Sequence, residues 1–291
     1  MRRRAFVASL LACGVLPALA REERFSRGLL WRVSRDGSAP SHVFGTLHDT
    51  DPRLAEWPAP VEHAFSGARR LMVEFLPDPY SRGRFNEAAI FRDGQTLEGH
   101  IGAADFARVL EQLAPIGLEP AFVNRLKPWG ALINLRAQRT AAGPSMDARL
   151  AALAHERRLA ISQIEEVEEQ IFTFDEFPME SQIALLRHSL AHRDELIELA
   201  DRTLAAYLER DLSRIWRLRD AYIARHPAMA THQAVMTKRV LHDRSVVMAY
   251  RMQRELRRGD AFIAVGALHL YGPAGVLALL EEDGYRAERV Y

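Results

Sequence analysis

Two histidines stand at matched places near opposite ends of the 291-residue chain, and each closes the same pattern. An apolar run meets a glycine, and a histidine follows three residues on: Val43-Phe44-Gly45-Thr46-Leu47-His48 and Ala264-Val265-Gly266-Ala267-Leu268-His269. A glycine after a buried strand lets the backbone turn sharply or approach a ligand closely. A neutral imidazole just beyond it can ligate a metal ion or act as a general base. Either histidine alone could simply cap its strand. The matched pair points instead to one site at the edge of one sheet, with Gly45 and Gly266 as the positions of close approach to a bound group. Glu74 is the third candidate. It lies in Leu71-Met72-Val73-Glu74-Phe75, where a buried, unpaired carboxylate would be costly. It reads as a metal ligand, a general base or a partly solvated strand end.

Several elements must position these groups. Residues 29–35 and 42–47 read as two strands of a hairpin around the Asp36-Gly37 turn. Residues 70–75 form a third strand, in which alternation puts Met72 and Glu74 on one face. Further strands are expected at 159–164, 261–265 and 286–291. Helical periodicity covers 61–67, 85–91, 103–113, 120–126, 128–141 and 145–155. From 165 to 258 it is almost continuous, with apolar residues such as Ile183, Leu186, Leu190 and Ile197 at three and four spacing. A helix over 273–282 has Pro273 in its first turn, so its free N–H groups would face the same cleft. The expected fold is mixed α/β (α+β): a central mixed β-sheet flanked by helices, with a long all-helical segment before the C-terminal strand pair. One domain is expected over 21–291, with 165–258 as a helical subregion or lid.

Residues 1–20 read as an export signal: Arg2, Arg3 and Arg4, then an apolar run too short to span a bilayer, then Ala18-Leu19-Ala20 as the cleavage site. Arg3-Arg4-Ala5-Phe6-Val7 also has the look of a twin-arginine signal. Leu10-Leu11-Ala12-Cys13 resembles a lipoprotein site, although the apolar run continues past Cys13. A periplasmic or secreted protein with no membrane span in the mature chain is expected. Loss of the leader takes the formal charge from +1 to −2, because three arginines leave and no acid does. No basic surplus remains for nucleic acid. Cys13, the one cysteine, leaves as well. The mature chain then has no disulfide and no thiolate ligand, so any metal must be held by His, Asp, Glu or water. Nucleophile-elbow, Walker and Rossmann glycine motifs are all missing from the sequence.

Other residues carry weaker signals. His188 and His192 are four apart on a helix, a spacing that lets two imidazoles share a metal. Position 189 is Ser, not a zincin glutamate, which favours ordinary packing histidines. Asp49 and Asp51 could add oxygen ligands or serve a turn before Pro52. Asp147 fits a helix's first turn. Glu165 belongs to a charged run that could equally be solvated.

In order, Gly45-Thr46-Leu47-His48, Val73-Glu74 and Gly266-Ala267-Leu268-His269 with Gly272 resemble the TraB/GumN family, which includes the Tiki-type membrane metalloproteases. Leu126-Lys127-Pro128-Trp129, Met146-Asp147, the segment 165–170 and, most specifically, the ending 265–290 are similar as well. Two positions depart from the pattern: Arg244-Ser245 where the family often has Arg-Asn, and Ser145 where a glycine precedes Met-Asp. The resemblance implies a mixed α/β fold and, in the Tiki branch, metal-dependent peptide cleavage through His48, Glu74 and His269. The expected activity is that of an exported metal-dependent hydrolase of peptide or other amide or ester bonds. His48, His269 and Glu74 would hold a divalent Mn, Co or Zn ion, and Glu74 or Glu165 would take the water's proton. Two alternatives are a non-catalytic periplasmic binding or accessory protein for polysaccharide export or signalling, and a metal-free esterase with a His base. The partner in any of these is a peptide or small molecule.

Overall fold

The computed structural model describes residues 24–76, 78–137 and 143–291. The expected export signal, with Cys13, lies outside the described residues. Six strands form one sheet: β1 (Leu30–Ser34), β2 (Ser41–Thr46), β3 (Arg70–Val73), β4 (Ala160–Gln163), β5 (Ala261–Gly266) and β6 (Arg286–Arg289). Their order is β4-β3-β5-β2-β1-β6. The four strands β4, β3, β5 and β2 are mutually parallel, whereas β1 pairs antiparallel with both β2 and β6. The sheet is therefore mixed, and the hairpin at the N-terminus is present.

Strand β5 runs through the middle of the sheet. Its residues Ala261 to Val265 are all buried, as expected for a parallel strand covered on both faces. In chain order the described helices are α1 (Ala59–Ser66), α2 (Pro79–Ala88), α3 (Leu97–Ile101), α4 (Ala103–Leu113), α5 (Pro120–Val123), α6 (Pro128–Ala137), α7 (Met146–Glu156), α8 (Val167–Asp175), α9 (Met179–Ala191), α10 (Arg193–Leu208), α11 (Leu212–Arg225), α12 (Ala230–Thr237), α13 (Arg244–Arg258) and α14 (Val276–Glu282). The main core joins the sheet to α1, α7, α13 and α14 and to buried residues of α10 and α11, such as Leu204, Tyr207 and Ile215. A second apolar cluster contains no residue of the six strands. It combines α3, α4, α5 and α6 with Leu185, Leu186 and Leu190 of α9, so it draws on chain from both sides of β4. Among the described residues no helix is long and apolar enough to cross a membrane.

Three local expectations are corrected. Strand β3 stops at Val73, so Glu74 lies just past its end and does not share a face with Met72 by alternation. Its backbone instead turns toward β4, where the Glu165 N–H donates to the Glu74 carbonyl at 3.1 Å. Helix α2 starts at Pro79, well before residue 85, because Asp78 caps it by accepting the Ser81 N–H at 2.8 Å. The last helix begins at Val276, not at Pro273, because Gly272 adopts φ +97° and the chain makes a further turn before Gly275. The N–H groups beside Pro273 therefore do not open a helix toward the cleft.

Ile263 is wholly buried at the centre of β5. Ile263→Ala is expected to cost about 2–5 kcal/mol, the usual range for emptying such a site. Chemical denaturation of the two proteins measures it, and a loss under about 1 kcal/mol would contradict a tightly packed central strand.

Candidate functional site

Every strand of the parallel half delivers one group to the same edge. His48 follows β2, Glu74 follows β3, Glu165 follows β4 and His269 follows β5, each within three residues of its strand's end. Parallel strands share a direction, so their carboxyl ends line one crevice. The register keeps those ends level: Thr46 pairs with Gly266, and Val73 with Ala264. Helix α7 adds Asp147 in its first turn, capped by Ser145, and α13 adds Arg244 and Ser245 at its start. A π-helical turn, Lys238–Asp243, runs directly into Arg244. Such turns re-aim side chains and recur at functional sites.

Glu74 is the centre, at 5% exposure. Its Oε2 accepts the Gly266 N–H at 3.0 Å, and its Oε1 pairs with Arg244 Nη2. Both imidazoles turn Nε2 toward this carboxylate: His48 lies 3.9 Å from Oε2 and His269 lies 3.9 Å from Oε1. Each ring is held from behind. His48 Nδ1 lies 3.2 Å from Asp147 Oδ2, while Thr46 Oγ1 donates to Asp147 Oδ1 at 3.0 Å. His269 Nδ1 lies 2.9 Å from Ser245 Oγ. Ser245, which stands where the family often has Asn, thus still presents a polar group to His269. Glu165 accepts from Arg244 Nε at 2.9 and 3.1 Å, one oxygen at each distance, so Arg244 joins the two buried glutamates.

These contacts set the charges. The Asp147 carboxylate close behind it, against the opposing effect of burial, raises His48 to about 9. Burial alone would push Glu74 up, but Arg244, the two histidines and the Gly266 N–H hold it at about 2. Burial lowers His269 to about 4, which keeps that ring neutral near pH 7. Burial also opposes the charge of Arg244, but Glu165 and Glu74 outweigh it and hold its pKa above the ordinary value.

The crevice offers two imidazole nitrogens and a carboxylate. Each Nε2 lies 3.9 Å from a different oxygen of Glu74, and no choice of one atom from each residue brings all three within 4.8 Å of one another, so a shared ion would need the side chains to draw together. Gly266 leaves the space between them open: a Cβ there would stand 3.4 Å from His269 Cδ2, 3.5 Å from Glu74 Oε2 and 3.8 Å from His48 Nε2. Three buried acids, Glu74, Asp147 and Glu165, face the Arg244 guanidinium and a His48 ring that is protonated near pH 7, so a metal bound at His48 would displace a proton from it. Gly45 does not face this space. A Cβ on it would meet Leu270 Cδ1 at 2.6 Å, and its carbonyl accepts the Tyr207 hydroxyl at 2.8 Å, so its close approach is to the turn after β5.

Asp49 and Asp51 stay in their own loop, where Asp51 accepts from Arg53 N at 2.9 Å and caps a short 3₁₀ turn. His188 and His192 lie elsewhere, on α9, with His226 beside them. The residue patterns noted Arg244-Ser245 as a departure from the family motif but did not show Arg244 as the shared partner of Glu74 and Glu165. The pattern Arg-Ser on a helix carries no local mark, and only the buried acids facing it reveal its use.

A mixed α/β sheet with this crevice defines the class of fold. The chain belongs to the TraB/PrgY/gumN family, whose sequence model matches residues 29–289. Comparison with curated proteins and with solved structures returned no match.

Arg244→Met leaves two buried carboxylates without their cation and is expected to cost about 3–5 kcal/mol of stability. Urea denaturation near neutral pH measures it. A variant as stable as the parent would show that the guanidinium does not hold the site together.

Proposed function

We propose that the chain is an exported metal-dependent hydrolase of peptide or other amide or ester bonds, with His48, His269 and Glu74 holding the ion. One observation carries this reading: two imidazole Nε2 atoms converge on one buried carboxylate, and each ring is held from behind through Nδ1. That rear contact is how proteins orient metal-binding histidines. A divalent Mn, Co or Zn ion bound there supplies Lewis acidity toward a carbonyl and a water of lowered pKa.

The chain's own residues have separable tasks. Glu74, held at about 2, stays an anion throughout the physiological range. That suits a ligand better than a general base, whose pKa should lie near the working pH. Glu165 keeps its carboxylate on Arg244 Nε, so its task is positioning: it orients the guanidinium that grips Glu74. Asp147 and Ser245 keep Nε2 of His48 and His269 turned inward. Substrate approaches from the His48 side, because that side chain is 63% exposed and His269 only 4%. A groove lined by Glu165, Phe172, Thr173, Arg239, Arg244 and Val247 reaches the Glu165–Arg244 pair and offers both apolar and charged walls to a peptide.

His48→Ala combined with His269→Ala is expected to remove one equivalent of bound metal and to abolish turnover on a peptide and ester panel supplied with Mn²⁺, Co²⁺ or Zn²⁺. Elemental analysis and the panel read the two outcomes separately. Unchanged metal content and unchanged turnover in a folded double variant would reject the assignment. The ion pair between Glu74 and Arg244 already compensates the carboxylate and favours one other reading, a periplasmic binding or accessory protein. Saturable ligand binding with no turnover, insensitive to chelation, would support it instead.

A further inference from the structure

Away from the crevice, three histidines meet where three helices end. His188 lies in the last turn of α9, and His192, four residues on, caps the helix's C-terminus. His192 is also the junction between α9 and α10. His226 caps the C-terminus of α11, just before Pro227. One ligand nitrogen from each ring lies within 4.8 Å of the other two, and no other such group of three or more His, Cys, Asp or Glu occurs among the described residues. Ring centroids stand 4.5 Å apart for His188 and His192, 4.8 Å for His188 and His226, and 4.4 Å for His192 and His226.

The surroundings of the three rings are polar and ordered. Glu195, in the first turn of α10, bridges two of them: Oε1 lies 3.0 Å from His192 Nδ1 and Oε2 lies 3.0 Å from His226 Nε2. Tyr222 Oη lies 2.6 Å from His188 Nε2. Each ring therefore has one nitrogen tied to an oxygen partner. A carboxylate placed against metal-binding imidazoles fixes their orientation and contributes negative charge, whether it stays outside the ligand set or enters it. All three histidines are half-buried, so an ion can reach them from solvent.

We propose that His188, His192 and His226, with Glu195, form a second metal site that takes a divalent transition metal such as Zn²⁺. Imidazole-rich sites with one carboxylate suit zinc, nickel and copper over magnesium or calcium, which prefer all-oxygen ligands. Nitrogens on one zinc lie about 2.1 Å from the ion and so roughly 3.4 Å from each other, a spacing that small side-chain rotations reach from the present cluster. The role is a clamp. The ion would tie the α9–α10 corner to the end of α11, two places more than thirty residues apart in the chain. It is independent of the crevice: none of its residues touches His48, Glu74 or His269.

The test uses the mature chain carrying His48→Ala and His269→Ala, so that the crevice is silent whatever its own function. After dialysis against chelator, calorimetric titration with Zn²⁺ is expected to show one equivalent bound, and the melting temperature should rise with added zinc. Co²⁺ in place of Zn²⁺ should develop visible d–d absorption. Adding His192→Ala and His226→Ala should abolish all three signals, and Glu195→Gln should weaken binding by about 10- to 100-fold. Far-UV circular dichroism checks the fold of each variant, with His226→Asn as the milder substitute if the double change unfolds. No zinc uptake in the crevice-silent protein, or uptake unaffected by loss of the histidines, would overturn the proposal. In the otherwise unmodified chain, His192→Ala should leave hydrolysis on the panel intact.

Discussion

One guanidinium shared by two buried carboxylates is the contact on which the crevice depends. Glu74 and Glu165 sit at the ends of adjacent parallel strands, and each is about 5% exposed. Two carboxylates that close would repel, and burying either one alone would cost several kcal/mol, on the order of the penalty for an unpaired ion in a protein interior. Arg244 removes both problems because its planar fork presents several donors in fixed directions. It meets Glu165 through Nε and Nη2 and Glu74 through Nη2, so one side chain sets the position of both acids. The π-helical turn before it brings the start of α13 to this point. Ser245, the next residue, reaches His269 from the same helix start.

The sheet supplies the rest of the precision. Four strands run parallel, and the residues just past their ends inherit the strands' spacing and level. Chain segments more than two hundred residues apart, around His48 and His269, are thereby held next to one another by backbone hydrogen bonds between β2 and β5. Gly266 both ends β5 and donates its N–H to Glu74, while its missing side chain keeps the central space open. The same economy appears at Thr46, the last residue of β2, whose hydroxyl steadies Asp147 behind His48.

Much of this was readable along the chain. Alternating and continuous apolar runs marked the strands. The paired glycine-x-x-histidine endings marked the two crevice histidines, and an acid inside an apolar run marked Glu74. Each is a local signal, because strand periodicity and the cost of burying a charge act on neighbouring residues. Other features were not legible. Arg244 looks like any helical arginine until Glu74 and Glu165 are known to face it. Asp147 could pass for an ordinary first-turn acid, since the helix dipole and a buried imidazole favour the same residue type. Pro273 was misleading: proline suits a first helical turn, but the left-handed conformation of Gly272 delays the helix to Val276. His188 and His192 looked like packing residues because His226, which completes the cluster, is more than thirty positions away.

By itself, then, the sequence determined the family, the mixed α/β class and the identity of two imidazoles and a carboxylate at the strand ends. Those follow from patterns of burial and spacing that need only nearby residues. The tertiary structure alone decided which groups neutralise them, that Gly45 serves packing and Gly266 the open space, and that three distant histidines stand together. Pairing across a fold depends on how helices and strands dock, and docking sums many weak contacts that no single stretch of chain contains.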